Sequence, residues 1–384
     1  MTQKTKNPNP IRLRSWDILN LALSSLIEHI DIPIADNATY THKDIFNVIL
    51  NASCATTSIN DITTSSEKTP SEGDMRHHLK KLSLGELQEM INEMLLRSVV
   101  RTIPSKPLSF AIDLHLIPYH GEPYSDRKEI TRSMARDGTT HFHAYASIYL
   151  ILKKRRYTLA VKFCKSEESL VGIIEYLLAK VEEAKLRIKS LFLDRCFYSV
   201  PVINYLQAKQ VSFIIPCITR GRSGGIRRLF KGRKSYATMY TMRSQRYGAA
   251  TFQVNVDVRY WNGRWKRHGI EYLAFAVYGI DVKPGKTRMV YRKRFGIESS
   301  YRLMNRTRAR TSSRNPVIRL LFVGVSFLLQ NLWIYLKWAL SKKFPSLERL
   351  CFKTMARQLL RCLEDAMGFV DLIGYSCLGP SIRV

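Results

Sequence analysis

SFAIDLHLIPYHG, residues 109–121, has the residue pattern of a β-strand that ends at a proline. Apolar residues alternate along it until Pro118 interrupts the pattern, which is typical of a strand in a sheet. Asp113 stands in the middle of the apolar run, where an unpaired charge is costly to bury. The segment therefore predicts a core strand with a carboxylate that needs a partner.

The sequence that follows predicts an α/β fold. HFHAYASIYLILKKRRYTLAVKFC, residues 141–164, predicts a β-hairpin that turns at the basic cluster Lys153–Arg156. SEESLVGIIEYLLAKVEEAKLRI, residues 166–188, predicts a long amphipathic helix capped by Ser166. The next segments are a strand, a helix and a strand: SLFLD (190–194), VPVINYLQAKQ (200–210) and VSFIIPC (211–217). Strand, hairpin, helix, strand, helix and strand in this order indicate a mixed sheet.

Helical patterns precede this region. WDILNLALSSLIEHI, residues 16–30, has apolar residues at helical spacing, and a second helix is expected after the capping residue Thr41. A further helix carries basic residues at Arg76, His77, His78, Lys80 and Lys81. Such a region fits a helix-turn-helix-like DNA-binding module, and it also fits a helical bundle with a solvated basic face. Prolines at 104 and 107 mark its end.

After Cys217 the chain becomes basic and strand-like, so we expect a β-rich insertion. The sequence Trp261-Asn262-Gly263-Arg264-Trp265 predicts a hairpin there, because Asn-Gly is a strong hairpin turn. From Met289 the pattern is helical again. The apolar run LLFVGVSFLLQNLWIYL, residues 320–336, is interrupted by polar residues and predicts a buried core helix rather than a membrane span.

The composition points to a polyanionic partner. The 384 residues include 61 Lys and Arg against 31 Asp and Glu, which gives a net charge of +30. Because 45% of the residues are hydrophobic, the bulk of the chain is not disordered. Nucleic acid is the expected partner, and an anionic membrane is the competing one. Seven scattered cysteines without a CxxC pair and an N-terminus without an apolar segment predict an intracellular protein.

Acidic residues are scarce in the second half of the chain. Between Asp194 and Asp257 there are 62 residues without Asp or Glu, and eleven of them are Lys or Arg. From Lys283 to Arg314, eleven bases surround a single acid, Glu298. A lone carboxylate in such surroundings either forms an ion pair with a neighbouring arginine or serves to bind a cation.

Three carboxylates are therefore candidates for one site. Asp194 ends an apolar strand, and ligand sites form at the carboxyl ends of strands in open α/β sheets. Asp113, Asp194 and Glu298 lie on two strands and one helix and are able to converge. Hard cations such as Mg²⁺ prefer oxygen ligands. Two such ions activate an attacking hydroxyl and stabilise the leaving oxygen of a phosphodiester.

The segment YRKRFGIESSYRLMNR, residues 291–306, resembles the Y-x2-R-x3-E-x6-K signature of DDE-type insertion-sequence transposases, in the branch that cuts DNA through hairpin intermediates. Tyr291, Arg294 and Glu298 match it, at offsets of 3 and 4 that place them on one helix face. The lysine position of the signature falls on Asn305, with Arg306 beside it. The resemblance covers roughly residues 105–340.

This resemblance implies an RNase H-like mixed sheet with a β-rich insertion, in an α/β chain that the residue patterns predict to begin with a small all-helical N-terminal domain. We therefore expect the first part of the catalytic domain at 106–216, the basic insertion at 217–285 and the C-terminal helical part of the catalytic domain at 286–342. The residue patterns add a helical, DNA-binding domain at 1–105 and a helical tail at 343–384.

The resemblance also implies roles for residues. Asp113, Asp194 and Glu298 would be the catalytic residues and would bind two Mg²⁺ (or Mn²⁺) ions. Tyr291 and Arg294 would hold the phosphate near the cut. An aromatic residue of the insertion, Trp261 or Trp265, would stack on a flipped base, although a cross-strand packing role is equally compatible with the residues. The other expected DNA contacts are Arg227, Arg228, Arg302 and Arg306.

The function implied is that of a transposase, which cleaves DNA at the ends of a mobile element and joins the 3′ ends to target DNA. A structure-specific RNase H-like nuclease without strand transfer and a non-catalytic DNA-binding protein are the alternatives. GRSGGIRR, residues 221–228, lacks a following GK[ST], which argues against ATP hydrolysis. We expect a cytoplasmic protein, nucleoid-associated when bound to DNA, that acts on double-stranded DNA as a homodimer and has no membrane partner.

Overall fold

A computed structural model describes residues 13–35, 37–153, 155–262 and 268–368. These residues divide into two compact units. One unit consists of Ile91–Arg302, and the other consists of the described residues up to Met90 together with those from Leu303 onward.

The unit Ile91–Arg302 is built around one mixed sheet, which has nine strands among the described residues. The strands are β1 (Leu108–Pro118), β2 (Thr131–Arg136), β3 (Thr139–Leu152), β4 (Arg155–Cys164), β5 (Ile188–Leu193), β6 (Phe213–Pro216), β7 (Tyr236–Ser244), β8 (Gly248–Asn262) and β9 (His268–Tyr278). Their order is β2-β3-β1-β5-β6-β9-β8-β7, and β4 also pairs with β3. β1, β5 and β6 run parallel, and the other pairings are antiparallel.

The strand predicted around Asp113 is confirmed as β1, which lies between β3 and β5. The hairpin at the basic cluster is confirmed as β3 and β4. The helix that follows is α6 (Leu170–Glu183), and it begins later than predicted. Its cap is Ser169, whose side chain accepts a hydrogen bond from the main-chain N–H of Gly172 at 3.0 Å. The prediction of Ser166 as the cap is wrong, because that residue still belongs to the preceding turn.

The strands of the insertion extend the same sheet. β9 pairs with β6 from Phe213 opposite Tyr278 to Pro216 opposite Phe275. β8 then pairs with β9 up to Asn262 opposite His268, so the predicted hairpin is present. Asn262 is still a strand residue, and Gly263, where the turn was predicted, lies outside the described residues. α7 (Val200–Ala208) connects β5 to β6.

The segment that carries the signature residues is helical but not uniform. α8 (Thr287–Tyr291) is followed by a 3₁₀ turn at Arg292–Phe295 and then by α9 (Gly296–Asn305). A 3₁₀ turn winds more tightly than an α-helix. The side chains before and after it therefore do not keep the spacing of one continuous helix.

The second unit is helical. Its helices are α1 (Ser15–His29), α2 (His42–Ala55), α3 (Ile59–Thr64), α4 (Glu72–Lys80), α10 (Pro316–Tyr335) and α11 (Phe352–Met367), and α5 (Leu84–Arg97) runs through the division at Met90. α10 is long and apolar enough to cross a membrane, and 89% of its most apolar 18-residue window is buried inside the protein. It packs against α1, α2, α4 and α11. α10 therefore lies within the helical unit. The sequence placed residues 286–342, which include this helix, in the catalytic domain that contains the sheet.

Candidate active site

The sheet places Asp113 and Asp194 side by side. β1 and β5 pair in parallel up to Ile112 opposite Leu193, so the next residue of each strand is one of the two aspartates. β5 ends at that point, while β1 continues because it still pairs with β3, with Asp113 opposite Ser147. The predicted convergence of these two carboxylates at a strand end is found in the structure.

Arg294 joins the two carboxylates. Its Nη2 atom lies 2.9 Å from Oδ2 of Asp113 and 3.4 Å from Oδ1 of Asp194. The Arg294 side chain is 5% exposed and that of Asp113 10% exposed, whereas that of Asp194 is 40% exposed. The site is therefore buried at Asp113 and open to solvent at Asp194.

The charges of this cluster depend on one another. Burial raises the pKa of Asp113 to about 6, while Arg294 lowers it and the neighbouring Asp194 raises it. Burial by itself lowers the pKa of the Arg294 guanidinium, but the carboxylates outweigh this effect and the net shift is upward. The guanidinium is thus a permanent cation beside a carboxyl group that burial makes easier to protonate.

Two tyrosines fix the main chain next to the aspartates. The Tyr291 hydroxyl donates to the main-chain oxygen of Leu193 at 3.1 Å. The Tyr301 hydroxyl donates to the main-chain oxygen of Asp113 at 3.0 Å and lies 2.8 Å from Oγ of Ser147. Since a phenol has one proton, the Ser147 hydroxyl is the donor in the second contact.

The sequence did not single out Tyr301. A signal for it exists in the apolar residues Ile297, Tyr301 and Met304, which recur every three or four positions and which the structure buries. This spacing is that of one helix face. The ring of Tyr301 also stacks on His115, with centroids 4.4 Å apart and planes 13° apart, so His115 lies beside the site.

Glu298 does not join this cluster. It lies in the first turn of α9 with its side chain exposed. In the part of the chain that the structure describes, no group of three or more His, Cys, Asp or Glu residues is placed to hold a metal ion. Glu298 follows the 3₁₀ turn at Arg292–Phe295, and it is exposed whereas Tyr291 and Arg294 before it are buried.

The two signature residues expected at the phosphate are inside the protein. Tyr291 is 6% exposed and Arg294 is 4% exposed, so neither presents its polar group to the surface in this conformation. The other predicted DNA contacts among the described residues are on the surface: Arg227, Arg228, Arg302 and Arg306 are exposed.

Of the two tryptophans of the insertion, the structure describes Trp261. Trp261 is 46% exposed and stands opposite Gly269 across the β8–β9 pair. A Cβ atom on Gly269 would lie 2.6 Å from Nε1 of the indole, so the ring covers the glycine. Trp265 lies outside the described residues.

Two residues of β8 hydrogen-bond to the start of α8, the helix that leads into the signature segment. Asp257 is 4% exposed, and its carboxylate accepts hydrogen bonds from the main-chain N–H groups of Gly285 at 2.7 Å and Arg288 at 2.8 Å. Asn255 donates to Oγ1 of Thr287 at 3.0 Å. Asp257 therefore caps α8 from another element.

A cavity of about 380 Å³ adjoins Tyr291. It is lined by guanidinium groups and aromatic rings, among them Arg195, Arg227, Arg288, Phe230, Tyr272 and Phe295. Positive charge combined with aromatic surface is the character of nucleic-acid binding sites.

The Asp113–Asp194 pair matches part of the ligand set that a divalent cation needs. Oxygen atoms of both carboxylates converge on one positively charged atom, Nη2 of Arg294. Carboxylate oxygens are the ligands that Mg²⁺ and Mn²⁺ take in proteins. The pair fits such an ion, whereas Glu298 as placed here does not complete the set.

Comparison with solved structures finds a similar fold. The chain aligns with the transposase in a cryo-EM structure of the piggyBac transposase synaptic complex with hairpin DNA, at a TM-score of 0.57. The fold is similar to that of a transposase. The alignment covers 92% of this chain and 80% of that chain at 10% sequence identity, so the likeness concerns the mixed α/β fold. No protein-family model matches the chain, and no curated protein matches its sequence.

Proposed function

We propose that this protein is a transposase that cleaves phosphodiester bonds at the ends of a mobile DNA element and joins the 3′ ends to target DNA. The observation that carries the proposal is the pair Asp113 and Asp194 on neighbouring parallel strands, in a fold similar to that of a transposase. The net charge of +30 supports a DNA substrate. In this proposal the unit Ile91–Arg302 is an RNase H-like catalytic domain.

Asp113 and Asp194 would hold the metal ions, and Glu298 would be the third ligand. Two Mg²⁺ (or Mn²⁺) ions, when bound, supply activation of the attacking hydroxyl and stabilisation of the leaving oxygen. The protein contributes position: the parallel strands set the separation of the two aspartates, and Tyr291 and Tyr301 hold their main chain. Glu298 reaches this group only if the first turn of α9 rotates.

The surface would bind double-stranded DNA at both the element ends and the target. The exposed residues Arg227, Arg228, Arg302 and Arg306 are the phosphate contacts of this proposal, and Arg227 also lines the aromatic cavity. Trp261 and Trp265 are the aromatic candidates for an unpaired base. We further propose that the protein assembles as a homodimer on DNA, in the cytoplasm at the nucleoid.

The test uses a plasmid that carries the gene with its flanking DNA, and therefore both element ends. Asp113→Ala, Asp194→Ala and Glu298→Ala should each abolish cleavage in Mg²⁺ and leave DNA binding nearly unchanged, because basic residues supply the phosphate affinity. Glu183→Ala is the matched control, since this acid is exposed and pairs with Lys180 away from the site. It should cut at the wild-type rate.

The outcomes separate the alternatives. Cutting without joining of 3′ ends would indicate a structure-specific nuclease, and binding without cutting in any divalent metal would indicate a non-catalytic DNA-binding protein. A triad variant that cuts DNA at near the wild-type rate removes that residue from the catalytic set.

A further inference from the structure

We propose that Arg294 is a built-in counter-ion, which occupies the cation position between Asp113 and Asp194 in the resting protein and which a divalent metal ion must displace. The inference rests on the proposed function for the identity of the metal. Its physical basis is the placement of a single nitrogen, Nη2, within 2.9 Å of one carboxylate and 3.4 Å of the other.

The contact differs from an ordinary arginine–carboxylate pair. Such pairs are often bidentate, with two N–H groups directed at the two oxygens of one carboxylate. Here Nη2 contacts both acids, and within the described residues the buried Nε atom has no hydrogen-bond partner. A buried donor without a partner destabilises the arrangement that contains it. The guanidinium therefore acts as a point charge between two carboxylates, a position that suits a metal ion better than it suits an arginine side chain.

The cluster has a route by which the guanidinium can leave. The Asp194 side chain is 40% exposed, so the contact with Arg294 opens to solvent on that side. Arg294 itself lies in the 3₁₀ turn between α8 and α9. A stretch of 3₁₀ structure within a helical segment is a frequent position of a hinge.

Departure of Arg294 from the aspartates would also allow Glu298 to approach them. In one continuous α-helix, offsets of 3 and 4 place Tyr291, Arg294 and Glu298 on the same face. The 3₁₀ turn breaks this phase while Arg294 is paired with the aspartates. Conversion of the turn to α-helix would bring the Glu298 carboxylate to the face that carries Arg294, beside the aspartates that the guanidinium has left. The proposal therefore links metal entry to completion of the triad.

The experiment measures binding of Mn²⁺ to the full-length protein without DNA, by electron paramagnetic resonance of free Mn²⁺. Arg294→Gln removes the competing charge, and its affinity for Mn²⁺ should rise by on the order of tenfold or more. Arg294→Lys keeps a charge and should bind Mn²⁺ close to the wild-type level. Arg259→Gln, an exposed arginine paired with Glu271, is the control and should leave the affinity unchanged.

A double variant locates the effect. The gain in affinity should disappear in Arg294→Gln combined with Asp113→Asn, because the added ion would then lack a ligand. Equal or weaker Mn²⁺ binding by Arg294→Gln with a wild-type circular dichroism spectrum overturns the proposal.

A measurement on the wild-type protein covers the case in which Arg294→Gln does not fold. The Nε–H signal of Arg294 in a spectrum of ¹⁵N-arginine-labelled protein, assigned with Arg294→Lys, should move as Mg²⁺ is added. A signal that stays in place at saturating Mg²⁺ overturns the proposal. These readouts are independent of DNA cleavage. If the wild type cuts DNA but Arg294→Gln does not gain affinity for Mn²⁺, only the counter-ion role of Arg294 is refuted. If Arg294→Gln gains affinity for Mn²⁺ but the wild type does not cut DNA, only the transposase function is refuted.

Discussion

The Tyr301 hydroxyl donates a hydrogen bond at 3.0 Å to the main-chain oxygen of Asp113, so a helical residue fixes the strand position of a buried carboxylate. Ser147, which faces Asp113 across β1 and β3, completes the contact by donating to the same hydroxyl. Burial raises the pKa of Tyr301 well above its usual value, which keeps the proton on the phenol. The contact therefore depends on a neutral tyrosine.

Tyr301→Phe removes this hydroxyl and leaves a buried carbonyl oxygen and the Ser147 hydroxyl without it. We expect the free energy of unfolding to fall by about 1–3 kcal/mol. The cleavage rate should fall as well, because Asp113 loses its support, while DNA affinity is retained. Urea unfolding and plasmid cleavage test this. Tyr247→Phe, at an exposed tyrosine, is the control; a Tyr301→Phe protein as stable and as fast as this control would contradict the expectation.

Asp257→Ala removes the cap of α8. The main-chain N–H groups of Gly285 and Arg288 lose a charged acceptor in two part-buried hydrogen bonds, so we expect a loss of about 1–3 kcal/mol of stability. Cleavage should fall more than DNA binding, since α8 leads into Arg294. Glu271→Ala is the control, because this acid lies on the neighbouring strand and is about half exposed. Equal effects of the two substitutions on cleavage would argue against a positioning role of Asp257.

Trp261→Ala tests the base-stacking role in the insertion. An aromatic platform returns about 1–3 kcal/mol per stacked base, so hairpin formation or resolution should slow while the first nick proceeds normally. Gly269→Ala offers an independent variant, because its Cβ would lie within 2.8 Å of three indole atoms and displace the ring. Both variants should slow the same step, as seen on denaturing gels. Loss of stability with unchanged kinetics would show that the indole only packs on the hairpin.

The salt dependence of DNA binding tests the basic surface. Each neutralised phosphate releases counterions, so affinity should fall steeply as salt rises. Fluorescence anisotropy with labelled duplex DNA between low and physiological salt gives the slope of log affinity against log salt. A slope of magnitude below about 3 would be inconsistent with an extended DNA track along the insertion and the signature segment.

The pH dependence of stability tests the burial of Asp113. Its pKa of about 6 in the folded protein lies above the value of 3.8 for an unperturbed Asp, so the folded state binds more protons than the unfolded state between these values. The stability contributed by this group is therefore present at low pH and is lost as pH rises through 6. In metal-free buffer, the wild type should lose about 1–3 kcal/mol relative to Asp113→Asn between pH 4 and 7. Urea unfolding at each pH measures this difference, and an increase with pH would contradict it.

The sequence predicted the parts of the site that depend on local pattern. Asp113 and Asp194 stand out because each interrupts or ends an apolar strand, and neighbouring parallel strands bring such positions together. The α/β order and the strands of the insertion follow from the same patterns.

Other parts depend on distant partners, and a local pattern does not contain them. Tyr301 meets Asp113 across 188 positions, and Asp257 meets Gly285 and Arg288 across 28 and 31 positions. The 3₁₀ turn at Arg292–Phe295 contains Arg294, which pairs with both aspartates, whereas the spacing of the signature residues predicted one continuous helix. Likewise, α10 is apolar enough to pack almost anywhere, so its composition did not show that it belongs with the N-terminal helices.

The pairing of β9 with β6 leads us to expect that a form of the protein without the insertion aggregates. A version without residues 217–285 would leave the outer edge of β6 open, with its main-chain N–H and C=O groups unpaired beside buried residues such as Phe213 and Ile215. Open edges of this kind recruit strands from other molecules. We therefore expect the insertion to protect the edge of β6 from aggregation in addition to its proposed role in DNA binding. Point substitutions can separate these two roles, whereas deletion of the insertion removes both.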